Sequence, residues 1–371
     1  MRHRKRIWLS LMAVLVLVLG ACAGDAGTTT TEAEETPTTA APPETTGTTE
    51  APDETTGTTE APTETTAANG DVPVVRISAL NGGLTGVAAQ IVEENGFDEA
   101  NGYQGEFFYN DPDASGQFFL QRQSDVAFDF DAIGAAIART EGLDVSVFYP
   151  ILNNNNCILV KEDAPYETPE DLIGQPVGHF GADSGTTTSF TIVLQSLFDF
   201  NLLDEYTLVE TGPPALVELL QDDEVEAIFN FVPHSSRAMV QAGARCMFGP
   251  LVDVEIPGNA FSHLSQMAAY EDWLADNPEL AQAVTASWDD AIDWILEDPT
   301  RITQEPYASL LGQDDQAVLD LVAEQVNGIP LFTNDWSPEV QEQAEAWVDL
   351  AADQDVLIEE NPGGVVTAVG E

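Results

Sequence analysis

The sequence is poor in positive charge. Only 11 of its 371 residues are Lys or Arg, against 64 Asp and Glu, which gives a formal charge of −53. Four of the eleven (Arg2, Arg4, Lys5, Arg6) stand at the N-terminus, so from residue 71 onward Arg76, Arg122, Arg139, Lys161, Arg237, Arg245 and Arg301 oppose 54 acids. A chain of this kind cannot neutralise phosphates or adhere to an anionic membrane surface, and nucleic acid is excluded as a partner. Self-repulsion on this scale destabilises a compact state unless salt screens it, and the Debye length falls from about 10 Å at 0.1 M to about 3 Å at 1 M. The acids are scattered along the chain rather than gathered in one run. The sequence therefore predicts a protein exposed to a salt-rich medium. Catalytic signatures are lacking as well: there is no G-x-G-x-x-G, no P-loop and no H-E-x-x-H. His179, His234 and His263 lie far apart, as structural or surface histidines do, and Gly181 to Gly185 (GADSG) has the wrong spacing for a nucleophile elbow. No catalytic residue, metal or cofactor is expected.

What is present begins with a basic stretch followed by an apolar run from Ile7 to Leu19 and then Leu19-Gly20-Ala21-Cys22. A largely apolar run of thirteen residues falls short of the roughly 20 that span a bilayer as a helix. Residues 1–22 read as a signal peptide whose end resembles the bacterial lipobox, with Cys22 acylated and made the new N-terminus. Several acyl chains on one residue anchor stably where one chain binds only marginally. Residues 23–70 are almost entirely Thr, Glu, Ala, Pro and Gly, and ETTGTTEAPD at Glu44 to Asp53 recurs as ETTGTTEAPT at Glu54 to Thr63. With no aromatic or large aliphatic side chain to offset ordering entropy, this reads as a disordered tether. Cys157 and Cys246 remain, an even pair in an oxidising space, which allows one disulfide or two buried thiols.

From residue 71 short apolar runs alternate with helical periodicity. Strands are predicted at Val72–Leu80, Glu106–Tyr109, Val126–Phe130 and Val145–Ile151, with helices between them at Thr85–Glu94, Ser115–Gln123 and Ile133–Thr140. The pattern restarts with strands at Cys157–Lys161, Pro176–Phe180, Tyr206–Val209, Ala227–Phe231 and Arg245–Phe248. From Phe261 the chain reads as mainly helical, beginning with Ala269–Ala275. Alternation of this kind argues for α/β architecture with parallel sheets. The boundaries predicted are 71–152 for the first part of lobe 1, 153–252 for an inserted lobe 2, and 253–371 for the return to lobe 1 with C-terminal helices.

The order of elements, together with DVAFDFDAIGAAIARTEGLDVSV, DLIGQPVGHFGADSGTTTSFTIVLQSLF and VELLQDDEVEAIFNFVPHSSRAMVQAGAR, resembles the substrate-binding proteins of ABC importers. The similarity, nearest to the nitrate/alkanesulfonate/taurine and thiamine-precursor pyrimidine group, runs from about residue 74 to about 357. Individual motifs are weak but occur in order: Asp171 to Val177 at the entry to the second lobe, the small-residue loop Gly181 to Thr188, and Glu224 to Ala227 (EVEA), where the family has Gly-x-x-Asp-Ala and this chain has Glu226. The resemblance implies a hinged, two-lobed type II binding-protein fold that clamps a small organic solute and delivers it to ABC permease subunits. A monomer anchored to the outer face of the cell membrane is expected. The alternatives are a binding lipoprotein that serves a sensor or scavenges without a permease, and a hydrolase, for which catalytic groups are missing.

Ligands of open α/β sheets bind outside the carboxyl ends of the strands. Those ends supply Asn81, Gly82, Gly83 and Leu84, then Asp129, Phe130 and Asp131, in lobe 1. In lobe 2 they supply Ser184, Gly185, Thr186 and Thr187, then Phe231, Val232, Pro233 and His234. Free N–H groups and hydroxyls at Ser184 to Thr187 suit a polar ligand at a helix N-terminus, or simply cap that helix. Asp129 and Asp131 point to the same side of an extended segment, either to accept from ligand amino groups or, for Asp131, to cap the next helix. Asn153 to Asn156 suit a hinge that adopts unusual backbone angles, with Asn154 as a ligand contact. Tyr109 and Phe231 flank a planar ligand or belong to the core. No Lys or Arg stands in these loops, which tilts the expected ligand from an oxyanion toward a neutral or amine-bearing heterocycle.

Overall fold

A computed structural model describes residues 72–182 and 184–369. The signal peptide, Cys22 and the tether lie outside the described residues. Among the described residues, ten strands form two five-stranded sheets. In the first, β1 (Val74–Leu80), β2 (Gln104–Asn110), β3 (Val126–Phe130), β4 (Val145–Asn153) and β10 (His263–Tyr270) lie in the order β2-β1-β3-β10-β4. In the second, β5 (Cys157–Lys161), β6 (Pro176–His179), β7 (Thr207–Glu210), β8 (Ala227–Asn230) and β9 (Ala244–Phe248) lie in the order β7-β6-β8-β5-β9. Each sheet has four strands running one way and one, in the fourth place, running against them: β10 in the first and β5 in the second. Those two are the strands entered directly after the chain crosses between sheets. The longer helices are α1 (Gly83–Asn95), α2 (Pro112–Leu120), α3 (Ala132–Thr140), α4 (Gly185–Phe198), α5 (Pro213–Gln221), α6 (His234–Gln241), α7 (Pro278–Glu297), α8 (Gln316–Gly328) and α9 (Pro338–Asp353). Among the described residues no helix is long and apolar enough to cross a membrane.

Local chemistry accounts for most of these elements. Strands such as β4 (VSVFYPILN) are almost wholly buried apolar runs, as strands with helices on both faces are. Helices start on Ser, Asp or Pro: Asp131 caps α3, Ser184 caps α4, and Pro occupies the first turn of α2, α5, α7 and α9. The large side chains Trp288, Phe128, Phe148 and Ile77 fill one core under α1 and α7, and Phe190, Phe229, Ile158 and Trp347 fill a second that runs under both sheets. The free edge of β4 is covered by the C-terminal tail, where the Val147 N–H donates to the Val365 carbonyl and Thr367 N–H to the Val147 carbonyl. Covering an edge in this way removes an invitation to intermolecular pairing.

One expectation fails. The stretch read as mainly helical from Phe261, with its first helix at Ala269–Ala275, opens with a central strand, β10, that runs through Ala269 and Tyr270, and the helix begins only at Glu271 and ends at Asp276. HLSQMAAY has no β-branched residue and several good helix formers, so its local preference opposes the strand. Pairing with β3 on one side and β4 on the other decides the outcome.

The two cysteines sit on the neighbouring strands β5 and β9 and are joined in a disulfide, their Cα atoms 5.5 Å apart. The crossovers between sheets lie side by side. Gly249, at φ 109°, makes this possible, because a Cβ there would stand 2.5 Å from the Asn156 carbonyl oxygen.

Candidate functional site

The strand ends named from sequence separate into two places. At the end of β1, Gly82 has φ 117°, and a Cβ on it would lie 2.7 Å from the Leu310 carbonyl oxygen, so this turn packs against the helix Tyr307–Leu310. Leu84 is in the core. A small pocket of about 110 Å³ lies here among Asn81, Gly82, Gln90, Tyr109 and Leu310, with no residue of the second sheet's lobe in its wall. The Tyr109 hydroxyl donates to Glu93. The structure does not bring Asn81 to Leu84 together with the other candidates.

The end of β3 does meet the second lobe. Asp131 closes the first turn of α3 by accepting from the Gly134 N–H at 2.7 Å, as the capping alternative foresaw, and its other oxygen stands 3.4 Å from where a Gly185 Cβ would be. Asp131, Ile133, Gly134 and Ile137 from α3 face Gly185, Thr188 and Ser189 from α4. Ser262, His263 and Leu264 at the start of β10, with Trp347 and the exposed Leu357, complete a partly open chamber of about 80 Å³. A more open groove of about 450 Å³ on the first lobe, holding Gln117, Asp129, Phe130 and Glu141, shares Asp131, Gly134, Ile137 and Leu264 with it.

Of the loop Ser184 to Thr187, only Gly185 lines the chamber. The Ser184 hydroxyl caps Thr187 and donates to the Gly181 carbonyl, Thr186 donates to Asn156 Oδ1 at 3.0 Å, and the Thr187 hydroxyl sits by Ser184 and His179. These groups fasten α4 to its surroundings. The chamber is instead reached one turn later, by Thr188 and Ser189. Extending the helical projection of Gly185 by three and four positions would have found both. The signal for His263 was weaker, a lone histidine in a segment that reads as helix.

The asparagines of the outgoing crossover act differently from the expectation. None of Asn153 to Asn156 is among the residues with positive φ. Their side chains are buried and bonded: Asn154 donates to Ser189 (3.1 Å) and Ser262 (2.8 Å) and accepts from Asn156, Asn153 donates to Pro330, and Asn155 accepts from the Val232 N–H. Amide side chains with both donor and acceptor ends are what this junction uses, not unusual backbone angles. Asn154 thus holds the chamber wall from behind. Phe231 packs edge-on against Phe180 and His234 at the end of β8, and neither Phe231 nor His234 lines the chamber.

The electrostatics are one-sided. All seven basic residues from Arg76 onward are engaged with a carboxylate, and none lines the chamber or the groove. Burial, helped by the charge of Asp131, pushes the Asp129 carboxyl up to about 7. Burial raises Asp131 as well, against the backbone N–H groups of Gly134 and Ile133 that favour its ionised form. His263 is pushed down to about 3 by burial, so its imidazole is neutral. The arrangement can accept hydrogen bonds from a neutral or cationic group, and a bare oxyanion finds no counter-charge in it.

Among known proteins, the model of a family described as NMT1/THI5 like matches residues 106–302. In structure the chain is similar to the alkanesulfonate-binding protein from Xanthomonas axonopodis pv. citri bound to MOPS, with TM-score 0.62, 14% identity, and coverage of 81% of this chain and 100% of that one. It is also similar to the periplasmic aliphatic sulphonate-binding protein from Escherichia coli, with TM-score 0.61, 18% identity and coverage of 80% and 93%. An ABC transporter structure from Parabacteroides distasonis gives TM-score 0.56 at 13% identity, covering 80% and 99%. No curated protein matches by sequence. At these identities the structural likeness establishes the two-lobed binding-protein fold.

Proposed function

This chain belongs to the NMT1/THI5-like family, and on that premise we propose that it is the extracytoplasmic solute-binding component of an ABC importer. In this reading Cys22 carries a lipid anchor, and the two lobes close over a small organic solute and hand it to permease subunits. The observation that carries the reading is the chamber itself, whose walls come from α3 and β10 of one lobe and α4 of the other. A ligand that touches both walls binds the closed form better than the open one, and this differential affinity is what drives a hinge. The two sulfonate-binding neighbours are binding proteins by name, which supports binding over catalysis.

The ligand of this reading is a neutral or amine-bearing heterocycle, of the kind exemplified by a thiamine-precursor pyrimidine, rather than a sulfonate, nitrate or taurine. The reason is charge: Asp129 and Asp131 stand at the site and no Lys or Arg lines it. A thermal-shift panel in molar salt tests this. Amine-bearing pyrimidines are expected to raise the melting temperature; a rise with taurine or an alkanesulfonate, and none with pyrimidines, reverses the ligand assignment.

A further inference from the structure

Most of the chamber wall is shielded from solvent. Among the residues that line it, Gly185 on α4 and Leu357 beyond α9 are the exposed ones, and they mark its rim, one on each lobe. Gly185 brings no side chain. Leu357, 46% exposed, is the large group at the rim, part of it on the chamber beside Trp347 and the rest in solvent.

The backbone that carries Leu357 is unusual. Six non-glycine described residues have a positive φ; five are Arg, Asp or Asn, and Leu357, at 62°, is the apolar one. Asp355, at 55°, has a local reason. It follows the C-cap of α9, where its N–H donates to the Ala352 carbonyl and the Val356 N–H to the Ala351 carbonyl, the pattern of a helix that ends in a left-handed residue. That motif stops at Val356 and leaves Leu357 without such a cause. A leucine in this region is disfavoured unless its surroundings impose it, and residues of this kind gather at clamps and switches.

The surroundings come from both lobes. Just before the rim, Gln354 Nε2 donates to the Ile192 carbonyl at 3.3 Å and to Ser196 Oγ at 2.6 Å, both on α4 of the second lobe. Just after it, Ile358 is 4% exposed and belongs to the core that runs under both sheets. The helix that feeds the segment, α9, packs on α3 of the first lobe. Residues 354–358 are therefore a third link between the lobes, beside the two crossovers, and a non-covalent one. Moving α4 away from α9 breaks the Gln354 bonds and frees the left-handed leucine to relax.

We propose that Leu357 is the gate of the chamber, carried on a strap, residues 354–358, that Gln354 latches onto the opposite lobe. With the latch made, Leu357 is held over the rim; with the latch broken, it swings clear and the chamber is open to solutes. The purpose of the gate rests on the solute-binding reading above, while its existence can be tested without any solute.

Thiol labelling with iodoacetamide in molar salt is that test. Cys157 and Cys246 are joined, so Ser189→Cys on the α4 wall, or Ser262→Cys on the β10 wall, reports access to the chamber. The full mature chain without a reporter gives the background. Ser287→Cys, at a core position beside Tyr103 that is 0% exposed, reports unfolding. Leu357→Gly and Leu357→Ala should speed labelling of the chamber reporters by at least about tenfold and leave Ser287→Cys unmoved. Leu357→Met, which keeps the bulk, and Asp355→Gly, which lies outside the wall, should stay within about twofold of the parent. Gln354→Ala, which removes both latch bonds, should speed labelling by about fivefold or more. In urea the midpoint of Leu357→Gly should lie above that of Leu357→Ala, the reverse of the usual order, because glycine alone takes φ 62° freely.

Chamber labelling equal to the parent in both Leu357→Gly and Leu357→Ala overturns the proposal. So does an acceleration matched at Ser287→Cys, no effect of Gln354→Ala, or an alanine midpoint at or above the glycine one. The gate and the importer reading fail separately. Unmoved labelling removes the gate and leaves the importer, whereas small-angle scattering that shows no closure with any solute removes the importer and leaves the gate.

Discussion

Removing the amide of Asn154 should destabilise the whole protein, because this residue ties three elements together at the crossover. Its side chain donates to Ser189 of α4 and to Ser262 before β10, and its Oδ1 accepts from both the backbone N–H and the Nδ2 of Asn156. Asn154→Ala leaves those two Asn156 donors with no acceptor, in residues that are 0% exposed. The serine hydroxyls can turn to other acceptors; Ser262 already lies 3.5 Å from the His263 carbonyl. At about 1–3 kcal/mol for each unsatisfied buried donor, the cost is about 2–6 kcal/mol. Urea unfolding in molar salt measures it. With a slope of about 2 kcal/mol/M, the midpoint falls by about 1–3 M. Ligand affinity should fall too, since Ser189 lines the chamber. A midpoint within about 0.25 M of the parent, or about 0.5 kcal/mol at that slope, would mean that water satisfies the junction and that the network argument is wrong.

Other consequences are as direct. With 54 acids against seven basic residues from residue 71 on, the melting temperature should rise as potassium chloride is raised from dilute to molar, and indifference to salt refutes the screening argument. The disulfide closes a loop across 89 positions, which on the chain-entropy model is worth roughly 4–5 kcal/mol; the Cys157→Ala/Cys246→Ala double variant should lose most of it in urea, and an unchanged midpoint shows that the thiols are free. Asp129 keeps its proton in the folded state up to about 7, whereas the unfolded chain gives it up near 3.8. Unfolding therefore releases a proton between these values, and stability from this group falls as pH rises through that window. Asp129→Asn should flatten that part of the profile of melting temperature against pH, and identical profiles contradict the burial of the carboxyl. Labelled fatty acid should enter the full-length chain in its native cell and be lost in Cys22→Ser; equal labelling of the variant rules out the anchor.

The alternation of strands and helices was legible because each element carries its own signal: apolar runs for strands, and Ser, Asp or Pro at helix starts. β10 was not, because its residues favour a helix locally and only its place between β3 and β4 makes it a strand. The site was legible in part for the same reason. Asp129, Asp131 and Gly185 follow from the rule about strand ends, which concerns topology. Thr188 and His263 are brought to the chamber by a second helical turn and by the unforeseen strand. The asparagine run was noticed for the backbone freedom of Asn, yet its use is the pairing of buried amides, which depends on partners such as Ser262, more than a hundred positions away, that no local pattern reveals.

The placement of β10 also sets a timetable. The second sheet is built from one unbroken stretch, Cys157 to Phe248, and every strand it needs is present once that stretch has been made. The first sheet has to wait, because the strand that joins β3 to β4 begins at His263, long after β4 ends at Asn153. At about 5–20 residues per second the gap to Tyr270 amounts to roughly 6–23 s of synthesis. Throughout that interval β3 and β4 carry bare edges with nothing yet made to lie between them. The middle stretch of the chain is thus the first able to fold, and the strands made before it are the ones that need protection until their missing neighbour arrives.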